Sequence, residues 1–159
     1  MSRRPSWDEY FIDIVDKVAA RGTCDRGQSG SVIVLDKRIL TTGYVGSPPG
    51  QPHCDDVGHL LKEVIDEEGN RKKHCVRTLH AEENAMLQAA EFGIPLKGAT
   101  VYCTMTPCYN CAMRIVRVGI KRVVAKKKYH AGAASVALFK DAGIDFEVIE
   151  DKVEEYPDQ

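Results

Sequence analysis

The first part of the chain changes from a helical to a strand-like pattern of apolar residues. In residues 7–21, apolar side chains recur at the i, i+3, i+4 spacing of an amphipathic helix, and Gly22 ends that helix. Residues 31–35 and 39–44 are rich in Val, Ile and Thr and flank a short polar turn, which predicts a β-hairpin. The chain therefore begins with one helix and two antiparallel strands.

Helical and strand-like segments alternate in the rest of the chain. Residues 46–58 are rich in Pro and Gly and predict a loop, and the charged insertion at 59–75 is expected to hold one short helix. Predicted helices and strands then follow in turn at 80–92, 99–104, 107–118, 122–126, 133–142 and 144–149. This order predicts an α/β protein with a three-layer α-β-α fold, in which helices flank a five-stranded mixed sheet.

Composition is consistent with one globular domain over residues 1–159, with a flexible acidic tail at 150–159. Apolar runs are only a few residues long, whereas a membrane span needs about 20, and no signal-like segment follows the N-terminal arginines. We therefore expect a cytoplasmic protein with no membrane partner. The 22 basic and 23 acidic residues give a net charge of -1, which argues against a nucleic-acid partner.

His80, Glu82, Cys108 and Cys111 form the pattern that carries chemistry. His80 with the two cysteines supplies three zinc ligands, and three protein ligands leave one tetrahedral position open for water. Glu82 can then act as the proton carrier without binding the ion. This H-x-E…P-C-x-x-C arrangement is typical of zinc-dependent nucleobase deaminases. Taken alone, the C-x-x-C pair would also suit a structural zinc or a redox site.

Three further cysteines, Cys24, Cys54 and Cys75, lie in predicted loops, and two of them adjoin histidines. They predict a second, structural zinc site whose fourth ligand is His74 or His53. The alternative is that they are ordinary free thiols. Cys103, within a predicted strand, is expected to be a core residue.

Several further motifs resemble those of the deoxycytidylate (dCMP) deaminases of the cytidine deaminase superfamily. The resemblance covers nearly all of residues 7–149. The motifs are SWDEYF from Ser6, GYVGSP from Gly43, HCD from His53, HCVRT from His74, HAEENA from His80, PCYNC from Pro107, GIKRV from Gly119 and YH from Tyr129.

The resemblance implies zinc-dependent hydrolysis of dCMP to dUMP and ammonia, which supplies dUMP for thymidylate synthesis. It also implies a homo-oligomer, either a hexamer or a dimer, under allosteric control by dCTP and dTTP, with Mg²⁺ accompanying the nucleotide effector. Expected substrate contacts are Ser31, Tyr44, Val45, Thr106, Tyr129 and His130.

The chain departs from the family at two positions. The family usually has Asn, expected to bind the sugar, where this chain has Val45, and Ala where it has Ser31. Loss of such a hydrogen bond weakens binding by ~1–3 kcal/mol, or points to a modified cytosine nucleotide as substrate. A nucleotide sensor without turnover and an RNA-editing enzyme are weaker alternatives. Glu82 opposes the first, and the nearly neutral charge opposes the second.

Overall fold

The computed structural model describes residues 3–66 and 68–154. Five helices and eight strands alternate along these residues. In chain order they are α1 (Trp7–Ala19), β1 (Gly30–Leu35), β2 (Arg38–Tyr44), α2 (Cys54–Val57), β3 (Leu61–Ile65), β4 (Arg71–Cys75), α3 (Ala81–Phe92), β5 (Thr100–Met105), α4 (Tyr109–Arg117), β6 (Arg122–Tyr129), α5 (Ala133–Asp141), β7 (Asp145–Val148) and β8 (Val153–Glu154).

The main sheet is mixed and follows the order β2-β1-β5-β6-β7. Strand β1 is antiparallel to β2 and β5, whereas β6 is parallel to β5 and β7. Asp36 and Lys37 turn the first hairpin with positive φ values of 50° and 61°, as a tight two-residue hairpin turn requires. The predicted fold class is therefore confirmed, with five strands in the continuous path.

Helices cover both faces of the sheet and make it the middle of three layers. Phe11, Ile12 and Val15 of α1 pack on one face against Val32 and other strand residues. The larger core on the other face joins buried side chains from α3, α4 and α5 to the sheet, including Ala85, Ile115 and Phe139. Within the described residues, no helix is long and apolar enough to cross a bilayer.

Gly43 brings α3 into direct backbone contact with β2. A Cβ atom at this position would lie 2.2 Å from the Ala81 carbonyl oxygen and 2.4 Å from the Ala85 nitrogen. Any side chain here would push the helix off the strand. The first turn of α3 is therefore held directly against the end of β2.

The structure corrects three predictions about local structure. The insertion at 59–75 forms a two-stranded hairpin, β3–β4, instead of a helix. A short helix, α2, lies in the predicted 46–58 loop. Val153–Glu154 pair with β6, where a flexible tail was expected, because β6 extends past β7 and leaves its edge open. The remainder of that predicted tail, residues 155–159, lies outside the described residues.

Candidate active site

Two helix starts bring together His80, Cys108 and Cys111. His80 is the N-cap of α3 and Cys108 is the N-cap of α4, with Cys111 in the first turn of α4. Strand β5 runs between these two helices, so both N-termini lie at the edge where β5 and β6 end. In open α/β sheets this edge is the usual place for a ligand site.

The distances among these three side chains fit a tetrahedral metal. His80 Nδ1 lies 3.4 Å from Cys108 Sγ and 3.6 Å from Cys111 Sγ. Zinc bonds of roughly 2.3 Å to sulfur and 2.0 Å to nitrogen place such ligand atoms about 3.5 Å apart. All three ligand atoms lie within 4.8 Å of one another. His80, Cys108 and Cys111 can therefore hold one zinc ion, with Nδ1 as the histidine ligand.

Cys108 carries the thiolate of this cluster. Its pKa is lowered to about 4, first by a hydrogen bond from Cys111 and also by His80. The same bond raises the pKa of Cys111, which therefore acts as the donor of the pair. The hydrogen bond with Cys108 raises the pKa of His80 to about 9. A zinc ion bound by these three side chains would replace the shared protons, because ligating cysteines and histidines must be deprotonated.

Glu82 lies in the first turn of α3 and is only 6% exposed. Burial raises its pKa to about 7, against the opposing effect of the His80 charge. A carboxyl group that titrates near neutrality can both accept and donate a proton at physiological pH. Glu82 is therefore suited to proton transfer beside the cluster.

A second group, consisting of Cys24, Cys54, His59 and Cys75, also has metal-site geometry. Cys24 Sγ lies 3.6 Å from His59 Nδ1, and Cys54 Sγ lies 3.5 Å from Cys75 Sγ. All four ligand atoms lie within 4.8 Å of one another. The three predicted cysteines do converge, and four ligands are the number that a closed structural zinc site requires.

The fourth member of this group is His59, which corrects the prediction of His74 or His53. His74 precedes Cys75 on β4, and neighbouring side chains on a strand point to opposite faces. Among the described residues, His74 belongs to neither of the two groups with metal-site geometry. The ring of His53 instead forms a 3.0 Å hydrogen bond with Thr23 Oγ1.

Sequence reasoning missed His59 because nothing in its local pattern separates it from the other histidines. A supporting interaction is visible only in the structure, where His59 Nε2 lies 3.1 Å from Asp25 Oδ1. A carboxylate on the second ring nitrogen commonly orients a metal-binding histidine. The Asp25 contact therefore favours a ligand role for Nδ1 of His59.

The predicted substrate residues divide into accessible and buried groups. Tyr44 and Tyr129 are partly exposed and His130 is exposed. The rings of Tyr129 and His130 meet edge to face at 4.5 Å. Burial, and to a smaller extent the charge of Cys108, raises the pKa of Tyr129. The role of these three accessible side chains as substrate contacts stays a prediction.

Ser31, Val45 and Thr106 are buried, with exposures of 0%, 5% and 3%. Val45 packs against Cys24 and Cys54 of the second cysteine group. The assignment of Ser31, Val45 and Thr106 as substrate contacts stays a prediction.

Comparison with known proteins places residues 5–127 in the family described as the cytidine and deoxycytidylate deaminase zinc-binding region. ComE operon protein 2 of Bacillus subtilis is 42% identical over 147 residues, which cover 92% of this chain and 73% of that protein. The deoxycytidylate deaminase of Mycobacterium phage D29 is 39% identical over 128 residues, covering 79% of this chain and 98% of that protein.

The deoxycytidylate deaminase of Saccharomyces cerevisiae is 38% identical over 141 residues, or 89% of this chain, which spans only 44% of the yeast protein. Among solved structures, the dCMP deaminase of cyanophage S-TIM5 in complex with dCMP and dUMP has a TM-score of 0.70 at 22% identity. That match covers 92% of this chain and 99% of the phage chain. The structural likeness supports the fold.

Proposed function

Since this chain belongs to the cytidine and deoxycytidylate deaminase family, we propose that it converts dCMP to dUMP with release of ammonia. One observation carries the proposal: three candidate zinc ligands leave one position open beside a buried carboxyl group, that of Glu82. A closed site would have four protein ligands and no need of a nearby proton carrier.

The chain's own residues divide the work of the reaction. When bound by His80, Cys108 and Cys111, zinc supplies a nucleophilic hydroxide at neutral pH by lowering the pKa of water. Glu82 would accept one proton of the attacking water and pass it to the ring nitrogen of cytosine as the water oxygen bonds to C4. Glu82 would then take the proton that remains on this oxygen and give it to the amine, so that ammonia leaves as the C4–N bond breaks and the C4 carbonyl forms. The raised pKa of Glu82 suits both directions of transfer.

We place the nucleotide beside Tyr44, Tyr129 and His130. Their accessibility and the effect of the Cys108 charge on the pKa of Tyr129 support this placement. The names of the yeast and phage relatives, both deoxycytidylate deaminases, support dCMP as the substrate.

The Cys24, Cys54, His59 and Cys75 group is proposed to bind a second, structural zinc. Such an ion would fasten the segment before β1, the start of α2 and the end of β4 to one point. The exposed β3–β4 hairpin has little apolar contact of its own, and Ile65 is 73% exposed. Metal binding would therefore supply order that packing does not.

Assembly, regulation and location complete the proposal. Exposed apolar side chains on α3 and α4, among them Leu87, Phe92 and Met113, support a homo-oligomer. Control by dCTP and dTTP with Mg²⁺ rests on the resemblance to dCMP deaminases alone. The clustered free thiols suit the reducing cytoplasm.

The test is ammonia release from a panel of dCMP, CMP, dCTP, deoxycytidine and modified cytosine nucleotides, with zinc-loaded protein. The proposal expects dCMP to give the largest kcat/KM. A modified nucleotide that outperforms dCMP would change the assigned substrate. Absence of ammonia from the whole panel would contradict deamination.

A further inference from the structure

Asn84 links the first turn of α3 to the chain segment that follows β2. Its backbone nitrogen donates to the His80 carbonyl at 2.9 Å, so Asn84 is held in the helical turn that carries Glu82. Its side-chain amide points away from the helix and donates hydrogen bonds to the backbone carbonyls of Tyr44 and Gly46. Asn84 therefore connects the proposed proton carrier with a proposed substrate contact.

The hydrogen bonds from Asn84 fix the orientation of its amide. Nδ2 donates to the Tyr44 carbonyl oxygen at 2.8 Å and to the Gly46 carbonyl oxygen at 3.3 Å. Carbonyl oxygens only accept, so the nitrogen and not the oxygen must face them. One side-chain amide thus holds two carbonyls of a three-residue segment.

The same segment is tied to the residue just before the candidate ligand His80. Leu79 N donates to the Gly46 oxygen at 3.0 Å, and Gly46 N donates to the Leu79 oxygen at 3.3 Å. The Gly46 oxygen therefore accepts hydrogen bonds from both Leu79 and Asn84. Residues 44–46 are therefore held both by Leu79, which precedes His80, and by Asn84, which follows it in α3.

We infer that Asn84 is a positioning residue, which fixes the 44–46 segment and thereby places Tyr44 at the correct distance from the His80 cluster. The inference rests on the proposed deamination for its kinetic effect. The claim that Asn84 keeps residues 44–46 ordered does not depend on catalytic activity.

Aspartate is the most informative replacement because it has nearly the shape of asparagine and the opposite hydrogen-bonding property. In Asn84→Asp a carboxylate oxygen would face two carbonyl oxygens at the distances now occupied by hydrogen bonds. Asn84→Ala removes the link without repulsion. The inference therefore predicts a larger effect for aspartate than for alanine.

The experiment measures kcat, KM and zinc per chain for both variants with the nucleotide that the wild type deaminates best. We expect KM to rise about tenfold in Asn84→Ala and further in Asn84→Asp, since one tenfold step corresponds to about 1.4 kcal/mol. Zinc content should be unchanged, and kcat should stay within about threefold.

Gln88→Ala is the matched control. Gln88 lies one turn further along α3, and its Oε1 accepts a hydrogen bond from Thr42 N at 3.1 Å. It therefore makes the same kind of helix-to-strand link, farther from Glu82. This variant should lose a similar amount of thermal stability while KM stays at the wild-type value.

Amide hydrogen exchange gives a measurement that needs no turnover. The Gly46 and Leu79 amides should exchange faster in both Asn84 variants than in wild type and Gln88→Ala. Unchanged exchange in Asn84→Ala, or an equal rise of KM in Gln88→Ala, would overturn the inference. An inactive wild type whose Asn84 variants still show faster exchange would contradict the proposed function and leave the positioning role standing.

Discussion

Glu82 and Glu83 are neighbouring acidic residues at the start of α3, but they lie in different surroundings. Glu82 is buried, which raises its pKa to about 7. Glu83 points to a different side and pairs with Arg114 of α4, with 3.2 Å between Oε1 and Nη2. Glu82 therefore combines burial next to the His80 cluster with a pKa suited to proton exchange.

Replacing Glu82 with glutamine should lower kcat by at least 10²-fold while leaving zinc content unchanged, because glutamine cannot carry a proton and Glu82 is not a metal ligand. Ammonia release and zinc per chain are the two measurements. Glu83→Gln serves as the control, since it makes the same chemical change one residue away, and it should retain kcat within about threefold. Equal losses in both variants would argue against the role assigned to Glu82.

Residue chemistry was predictable where it depended on short sequence spacing. Two short motifs contain His80, Cys108 and Cys111. Each motif lies at the start of a predicted helix, and this was enough to predict that the three side chains lie together. His59 lies 35 residues after Cys24, 5 after Cys54 and 16 before Cys75. These separations do not form a short motif that would have identified His59 as the fourth ligand. The burial of Val45 likewise depends on side chains that are distant in sequence.

At the scale of elements, α1 is fastened to the sheet by an ionic and hydrogen-bonded contact at Asp8. Arg122 of β6 donates to both Asp8 oxygens at 2.9 and 2.8 Å, and the Tyr102 hydroxyl of β5 donates to Oδ1 at 2.7 Å. The hydrogen bond from Arg122 is the main reason that the pKa of Asp8 lies below its ordinary value. One carboxylate thus joins α1 to two strands.

Asp8→Asn should lower the free energy of unfolding at pH 7 by about 1–2 kcal/mol, a range that allows for the partial exposure of the pair. Because the folded-state pKa is depressed, the stabilisation is complete above the unfolded pKa of about 3.9 and is lost as pH falls through the lower folded value. Denaturant unfolding between pH 7 and pH 2 would test this. The difference from wild type should shrink only at the acid end.

Asp13→Asn provides the comparison, since Asp13 is an exposed residue of the same helix and the charge change is identical. It should change the unfolding free energy by less than about 0.5 kcal/mol. A loss of stability as large as that of Asp8→Asn would mean that net charge, and not the Arg122 contact, is responsible.

Elements that bury one face were predictable, whereas the β3–β4 hairpin was not. Strands β1, β5 and β6 bury runs of apolar side chains, and their sequences show it. In β3, four of five residues are exposed, so the alternation that marks a half-buried strand is missing. Its pairing with β4 is set by backbone hydrogen bonds that leave no apolar pattern.

At the scale of the whole molecule, the two candidate metal groups are linked by short chain segments and by the contacts of those segments. Cys75 belongs to one group and His80 to the other, with residues 76–79 between them. Val45 packs against Cys24 and Cys54, while its neighbours Tyr44 and Gly46 are held by Asn84. Residues 44–46 and 76–79, which pair through the Gly46–Leu79 bridge, therefore connect the two groups.

Zinc-loaded wild-type protein, freed of loosely bound metal, should contain about two zinc ions per chain. Cys54→Ser and His59→Asn should each reduce the ratio to about one and lower the melting temperature, because a structural zinc contributes to folding free energy. His74→Asn is the control and should retain two. A ratio near one zinc per wild-type chain would show that the second group does not bind zinc. Zinc loss in His74→Asn but not in His59→Asn would show that His74, as predicted from the sequence, is the fourth ligand.

The run Lys126-Lys127-Lys128 has a practical consequence for handling the protein. In sequence it resembles an open basic patch, but the three lysines pair with Asp16, Glu154 and Asp151, in that order. Two of these partners, Glu154 and Asp151, lie in or next to β8. A polyanion must displace all three acidic partners before it can bind the lysines, so a heparin column should retain the protein less than the run of three lysines suggests.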